Sequence, residues 1–458
     1  MIQNTRIRLR ARHEVNRDGA YVLYWMQQSQ RVGCNPALEF AVAEANELGL
    51  PVLVCFGLTD GFPEANARHY HFMLKGLVEV AHGLAARGIG FTIRLGSPEA
   101  VALELSHDAA LVVCDRGYLR LQRQWRQTLA KQIERRLLQV EGDVVVPVET
   151  ASPKHEYAAR TLRPKLHRLW EDYVVPLEAR AVATPMSASP PGLDLSDIDA
   201  LVAGLKVDQS VPPVVRFQAG EAAAHARLEA FLDDGLERYA EHRQQPEARA
   251  ASHMSPYLHF GQISPVEIAL AVRAARCGQP EDKAKYLEEL IVRRELAMNH
   301  ALYEPAYDQY DSLPNWARAT LEAQAAKPRP YLYAKAQFDA GQTHDRYWNA
   351  AQREMVATGY MHNQMRMYWG KKILEWSASP REAWDTMLAL NNRYFLDGRD
   401  GNSYTNVGWI FGLHDRPWGP QPVFGTVRSM GQNTFKKFDA EAYVAEVDRL
   451  AAAEASSM

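Results

Sequence analysis

Four cysteines in 458 residues, Cys34, Cys55, Cys114 and Cys277, are too scattered to form any Cys-x-x-Cys pair. A zinc ribbon and a four-cysteine iron-sulfur cluster are thereby excluded, and no metal is expected. Three of the four sit in or beside apolar runs and read as buried free thiols of a reducing compartment. No stretch approaches ~20 uninterrupted apolar residues, and the Arg-rich start lacks the apolar core of a secretory leader. The expectation is a soluble cytoplasmic protein without membrane contact. A Gly-x-Gly-x-x-Gly turn after the first apolar run and a Gly-Lys-Ser/Thr phosphate loop are both missing. An ordinary dinucleotide or ATP site is therefore not expected in the first third of the chain. Charge of one sign is also scarce: a net charge of -3 excludes a uniformly basic nucleic-acid coat and leaves room only for a local basic groove.

What is present is size, alternation and aromatic side chains. A chain of 458 residues exceeds what a single core usually supports, so two domains are expected. Short apolar runs at Ala20 to Trp25, Pro51 to Phe56, Gly90 to Leu95, Ala109 to Cys114 and Asp143 to Val148 alternate with helical patterns. That alternation predicts a parallel sheet with helices on both faces, whose ligands gather at the carboxyl ends of the strands. Arg31, just after the first run, reads either as an anion contact or as a solvated loop arginine. A proline-punctuated connector follows, and beyond it the pattern is helical nearly to the end. The predicted division is an α/β domain over 1–175, a linker over 176–215 and an all-α domain over 216–458. Helices are expected over Tyr331 to Ala340 and Gly359 to Trp376, among others, and a glycine-punctuated loop over Asn391 to Asn406.

Several constellations in the helical part carry chemistry. Asn363, Arg366 and Trp369 fall on one i, i+3, i+6 stripe of a helix that also bears Trp376. The two tryptophans stand ~10 Å apart along the axis, a gap one aromatic group wide. Ser252 and Ser255 straddle an expected helix start at Pro256, where they serve either as phosphate donors or as plain N-caps; Ser264-Pro265 fits the capping role. Glu289 and Arg293 are an i, i+4 pair that is either solvated or turned toward a cavity. Near the end, Arg416, Trp418 and Arg428 combine cations with an indole, which suits nucleic acid and equally suits a surface salt-bridge cluster.

Taken together, the blocks Tyr21 to Arg31, Ser255 to Ser264, Glu288 to Ala297, Tyr347 to Trp376 and Asn391 to Trp418 resemble the class II cyclobutane pyrimidine dimer photolyases of the photolyase/cryptochrome family. The resemblance implies a Rossmann-like antenna domain joined by a long linker to a helical domain that binds FAD in a bent form. It implies an antenna pigment, a deazaflavin or a folate. It also implies light-driven repair of pyrimidine dimers in UV-damaged DNA, by electron transfer from excited FADH- to a dimer flipped out of the duplex. Carried over residue by residue, Tyr239, Ser252, Met254, Ser255, Asn363, Arg366 and Asp397 resemble cofactor-binding positions. Asn391 resembles the asparagine facing flavin N5, and Glu289, Met367 and Trp409 the lesion pocket. Trp369, Trp348 and Trp376 resemble an electron-transfer chain, with Trp348 filling the gap noted above. Arg416, Trp418 and Arg428 resemble the elements that occupy the hole left in DNA.

A carboxyl such as Glu289, kept protonated in a dry pocket, would donate a hydrogen bond to a dimer carbonyl. The chain departs from the family pattern at Gln364, Gly401 and Gly408, and the two glycines are expected to loosen the loop beside the flavin. A monomer without an obligate protein partner suffices for such an enzyme. The alternative is a cryptochrome-like light sensor without repair activity.

Overall fold

The computed structural model describes residues 2–248 and 250–456. The apolar runs of the first third become strands β1 (Ile7–Ala11), β2 (Tyr21–Trp25), β3 (Val52–Leu58), β4 (Gly90–Leu95), β5 (Ala109–Asp115) and β6 (Leu137–Val140). They form one sheet in the order β1-β6-β5-β2-β3-β4, parallel except where β1 pairs antiparallel with β6. Strands β2, β3 and β5 are buried along their whole length, as continuous apolar runs covered on both faces should be. The chain winds outward from β2 through β3 to β4, then returns to the other side of β2 for β5, so the order reverses between β2 and β5. Asp115 ties that point together, its Oδ2 accepting the backbone N–H groups of Gln27, Gln28 and Ser29 at 2.9, 2.6 and 2.9 Å.

The structure departs from the sequence reading in two places here. The run Asp143 to Val148 is not a strand; the last parallel strand is Leu137–Val140. Val145 and Val146 instead point their N–H groups at the Glu295 carboxylate of the helical part, at 2.6 and 3.2 Å. Strand β1 escapes detection because its sequence, Ile-Arg-Leu-Arg-Ala, is that of an exposed edge rather than an apolar run.

Residues 176–215 contain one short helix, Ile198–Ala203, and residues 189–193 run along the open side of β4. The Leu193 N–H donates to Ile93 O at 2.7 Å and the Phe91 N–H to Ser189 Oγ at 3.0 Å. An edge that would otherwise template strand pairing is thereby covered. The helix Ala159–Tyr173 lies within the stretch expected to belong to the first domain. Its Leu162 and Leu166 nevertheless share a core with Phe231, Tyr257 and Leu290 of the helical part.

Among the later elements, the helix expected from Tyr331 begins only at Lys335. The polar stretch from Asn391 is not a single loop: it is the end of the helix Pro380–Tyr394, a short turn, and the start of the helix Gly401–Ile410, capped by Asp400 Oδ1 accepting the Ser403 N–H at 2.7 Å. Gly401 and Gly408 therefore lie inside a helix, and they tighten the packing rather than loosen it. A Cβ at Gly408 would stand 2.6 Å from Leu413 Cδ2, and one at Gly401 3.2 Å from Met298 Sδ. Gln364 donates its amide to Thr434 Oγ1 at 2.7 Å. The cysteines are free, Cys55 and Cys114 buried, Cys34 and Cys277 half-buried.

Arg31 is neither an anion contact nor solvated. It is wholly buried and donates to Gly261 O at 3.1 Å and Gly142 O at 3.0 Å. Gly261 has φ of +69°, and a Cβ there would lie 1.9 Å from Gln28 O. Only glycine lets this turn of the helical part come so close to the loop after β2.

A second buried cation sits in the helical core. Lys371, 1% exposed, donates to Ile410 O at 2.5 Å and lies 5.5 Å from the centre of the Trp409 ring. Burial pushes its ammonium down to about 7 from 10.5, with Asp415 opposing and Arg428 adding to the fall. Between those two values the unfolded chain holds a proton that the folded one has lost, so folding becomes more favourable as pH rises through that window. Below pH 7 the folded state bears the full cost of a buried charge. Lys371→Met removes this dependence. Its melting temperature relative to the parent is expected to be highest below pH 7 and to drop by at least ~2 °C toward pH 9.5. Thermal unfolding at both pH values checks this, and a constant difference would show that the ammonium stays charged.

Candidate functional site

The helix Asn363–Trp376 starts where His362 Nδ1 accepts the Gln364 N–H at 3.2 Å, and it is buried over most of its length. Two adjoining cavities lie against it. The first, about 770 Å³, is lined by Tyr239, Ser252, Met254, Ser255, Tyr286, Glu289, Arg366, Asp397, Asn402, Ser403 and Asn406. The second, about 430 Å³, is lined by Asn363, Arg366, Met367, Trp369, Asn391, Phe395, Asn406 and Trp409. Arg366 and Asn406 belong to both walls, so the two spaces meet around them.

Polar groups in the first lobe are held ready rather than consumed. The helix Ser255–His259 is only one turn and a fraction long, begins a residue earlier than expected, and has no side-chain cap. Neither serine is thus an N-cap, whereas Ser264 does cap its helix through the Val266 N–H at 3.2 Å. The Tyr286 hydroxyl donates to Ser252 Oγ at 3.1 Å, leaving the serine's own proton free to point elsewhere. Burial pushes the Tyr286 phenol up to about 12, and burial followed by the charge of Glu289 raises that of Tyr239. Both remain neutral donors at any physiological pH.

At the junction, Arg366 Nη2 donates to both Asp397 oxygens at 2.8 and 3.1 Å, with its guanidinium 3.6 Å above the centre of the Phe395 ring. Its Nε is buried without a partner among the described residues. An unpaired buried donor at the shared wall of two cavities is what a ligand atom would satisfy. A bent ligand with anionic groups in one lobe and a flat ring in the other matches this donor set. Asn391 is buried, and its Nδ2 donates to Asn392 Oδ1 at 3.0 Å.

The tryptophans form a row. Trp369, on the wall of the second lobe, stacks on Trp348 with centroids 6.5 Å apart and planes 10° apart; Trp348 and Trp376 are 6.3 Å apart at 60°. The indole N–H of Trp348 donates to Trp369 O at 3.0 Å and that of Trp369 to Gln352 Oε1 at 2.9 Å. Trp376 is itself 2% exposed. The aromatic path continues through His344 at 4.8 Å and Tyr333 at 5.8 Å to Tyr331, which is 47% exposed. Sequence reasoning missed Tyr331 and Tyr333 because it placed 331–340 in a helix, and it gave His344 no role.

Glu289 departs from its expected state. It lines the first lobe while Met367 and Trp409 line the second, and its Oε1 accepts from Arg243 Nη1 at 3.1 Å. With its side chain 42% exposed, it stands at a rim beside Arg243 rather than in a dry pocket. Arg243 lies in a stretch without any pattern to mark it. Tyr286, by contrast, shares the i, i+3 face of Glu289 and was detectable.

The segment after Phe411 folds back as a hairpin, with Trp418 N–H to Thr426 O at 2.8 Å and Gly425 N–H to Gln421 O at 2.9 Å. Trp418, 39% exposed, is flanked by the guanidinium groups of Arg416 and Arg428 at 5.2 and 5.0 Å, and Arg428 lies 5.8 Å from Trp409. The three thus stand together at the mouth of the second lobe's wall. In the sheet-bearing part, a cleft of about 930 Å³ opens where the strand order reverses, lined by Gln27, Gln28, Gln30, Phe56, Tyr118 and Trp125 among others. Leu258, Arg294 and Asp400 line both this cleft and the first lobe. Among the described residues no cluster of His, Cys, Asp or Glu has metal-binding geometry, and no helix is long and apolar enough to cross a membrane.

Comparison with known proteins places this architecture. A family model described as DNA photolyase matches residues 22–184. The chain is 46% identical over 446 residues to the deoxyribodipyrimidine photo-lyase of Methanothermobacter thermautotrophicus, covering 97% of this chain and 98% of that protein. It is 39% identical to that of Oryza sativa, over 94% of this chain and 88% of that protein. Among solved structures, a class III photolyase from Agrobacterium tumefaciens aligns with a TM-score of 0.73 at 21% identity, covering 94% of this chain and 86% of that one. An archaeal photolyase from Sulfolobus tokodaii, solved with two FAD molecules, aligns at 0.67 and 16%, covering 93% and 89%. These two likenesses are of fold. The first two, at such identity across nearly the whole length, mean that this chain belongs to the DNA photolyase family.

Proposed function

We propose that this protein is a class II photolyase that uses light to split cyclobutane pyrimidine dimers in DNA. The observation that carries the proposal is a single wall with two faces. Trp369, the inner end of an aromatic path from the surface, and Trp409, backed by the Arg416, Trp418 and Arg428 hairpin, line the same lobe. An electron route and a nucleic-acid surface converge there.

The residues fit FAD, which when bound in its fully reduced form supplies a light-excitable one-electron donor. Ser252 and Ser255 would hold its phosphates with neutral donors, and Tyr239, Met254 and Asn363 would border it. Arg366 would place a fixed cation beside the ring and offset an anionic charge, while Asp397 holds that guanidinium in one orientation. Asn391 would meet the ring edge. The cleft at the sheet's switch point is the place for a second chromophore, a deazaflavin or a folate, in the antenna domain 1–175.

Toward DNA, the chain's work is positional. A crosslinked dimer pairs poorly, so its removal from the stack costs less than that of normal bases. Trp418 and its flanking arginines would take the vacated space, and Met367 and Trp409 would bracket the dimer. Glu289 and the Arg243 guanidinium paired with it would offer a carboxyl group and a donor to the dimer's imide edge. No nucleophile is required of the protein. It acts as a monomer, and the domains divide at the linker 176–215.

The decisive test is anaerobic. With the flavin chemically reduced and thymine-dimer DNA added, blue light should restore thymine; dimers that persist beside normally reduced flavin would falsify the repair reading. Trp369→Phe should abolish light-driven bleaching of oxidised flavin while the chemically reduced variant repairs within about threefold of the parent rate, a barrier change below ~1 kcal/mol. Equal loss of both would make Trp369 structural.

A further inference from the structure

Some exposed arginines of this protein have a carboxylate beside them, as Arg346 has Glu441 and Arg353 has Asp448. Others have none among the described residues, and in one segment such cations gather on a helix face. Residues 153–168 carry Lys154, Arg160, Arg163, Lys165 and Arg168 against a single acid, Glu156. Glu156 is taken by Lys165, and Arg163 is taken by Glu288 at 2.9 and 2.8 Å. Lys154, Arg160 and Arg168 remain exposed, with no ion-pair partner among the described residues.

The fold presents these cations as a surface. The helix Ala159–Tyr173 buries Ala159, Leu162 and Leu166, which turns Arg160 and Arg168 to the opposite, solvent side. Eight residues of helix set them ~12 Å apart. One DNA strand carries a phosphate every ~3.4 Å of axis, so the pair spans three to four phosphates. At the head of the helix Tyr157 is 57% exposed, with the Arg160 guanidinium 5.1 Å from its ring centre. The stripe ends at Glu171, already paired with Arg273.

Its location argues for nucleic acid rather than for an unrelated anion. Tyr157 O accepts from His414 Nδ1 at 2.9 Å, and His414 precedes Arg416 by two residues. Glu288, which holds Arg163, also holds Arg293 at 3.3 Å and adjoins Glu289 in sequence. The face therefore adjoins the segment that leads into the hairpin.

We propose that the face bearing Tyr157, Arg160 and Arg168, with Lys154 at its start, is a second DNA contact that grips the backbone of the duplex flanking the lesion. This rests on the repair reading. Phosphate contacts of this kind fix register and orientation and carry no sequence information. The hairpin would then hold the duplex at the lesion and the helix face would hold it a few base pairs away, so that the flipped dimer is delivered in one orientation.

The test uses the full chain with its flavin and the double variant Arg160→Gln/Arg168→Gln. Affinity is measured from 50 to 200 mM salt for a long duplex with a central thymine dimer, and repair is measured on a dimer-bearing trinucleotide too short to reach the helix. The slope of log affinity against log salt for the duplex should fall by about 2, near 0.9 per lost phosphate contact. Trinucleotide repair should stay at the parent rate, and Arg160→Lys/Arg168→Lys should keep the parent slope. An unchanged slope in the glutamine variant overturns the proposal, as does an equal loss of trinucleotide repair. A parent protein that repairs neither substrate would sink the repair reading alone, because the slope on duplex DNA still decides the fate of this face.

Discussion

Arg68 is 1% exposed, and its guanidinium donates to Pro212 O, Met355 O, Tyr394 O and Val356 O at 2.9, 3.4, 2.9 and 2.6 Å. It stands on a helix that packs on the sheet, and every acceptor belongs to the linker or the helical part. A charge taken out of water costs several kcal/mol unless its hydrogen bonds are replaced, and here backbone carbonyls replace them. Arg31 repeats the device at the loop after β2, and Arg294 repeats it in reverse, reaching from the helical part to Asp143 at 2.8 Å. Loss of any of these would remove at least two hydrogen bonds of the junction at once. The two parts of the chain are thereby fixed in one relation, and the shared wall of Leu258, Arg294 and Asp400 between cleft and cavity follows from it.

That fixed relation bears on energy and electrons alike. A chromophore in the cleft and a ligand in the first lobe would be separated by single side chains of this wall, and a rigid junction keeps their spacing constant. Arg399 and Asp397 extend the coupling along one turn of chain. Arg399 is buried at φ of +63° and donates to Asn392 O at 2.8 Å on the cleft side, while Asp397 holds Arg366 on the cavity side. A backbone held in the left-handed region by a residue other than glycine stores strain, which persists where the surroundings over-determine it.

Local patterning was enough to show most of this. Apolar runs alternating with helical periods announced the parallel sheet and its switch point, and the i, i+3, i+6 stripe of Asn363, Arg366 and Trp369 announced a side of a helix that a core would not need. Resemblance, rather than periodicity, paired Trp348 with that stripe. Three kinds of feature stayed hidden. The strand Ile7–Ala11 is an edge with alternating arginines, so it lacks an apolar run. Buried arginines look like any surface arginine in sequence, since only tertiary carbonyls reveal them, and Arg31 was misread for that reason. Long-range partners such as Arg243 for Glu289 are set by how separate segments meet, so the surroundings of Glu289 were not legible from its own helix.

The glycines show why the second lobe has its shape. In the helix Asn363–Trp376 a Cβ at Gly370 would lie 2.9 Å from Ile410 Cγ1 and 3.2 Å from Met387 Sδ. In the helix Gly401–Ile410, Gly408 makes the matching allowance for Leu413. Without a side chain at Gly370 the first helix comes against Ile410, and Lys371 then reaches Ile410 O at the second helix's end. A cation at a helix C-terminus is favoured by the dipole, which offsets part of its burial. The result is that Trp409, one residue before that carbonyl, cannot shift without breaking the lysine contact. The same close approach that the glycines permit therefore holds one wall of the lobe opposite Trp369. A larger side chain at Gly370 would push Ile410, and with it the neighbouring Trp409, away from the helix that carries Trp369.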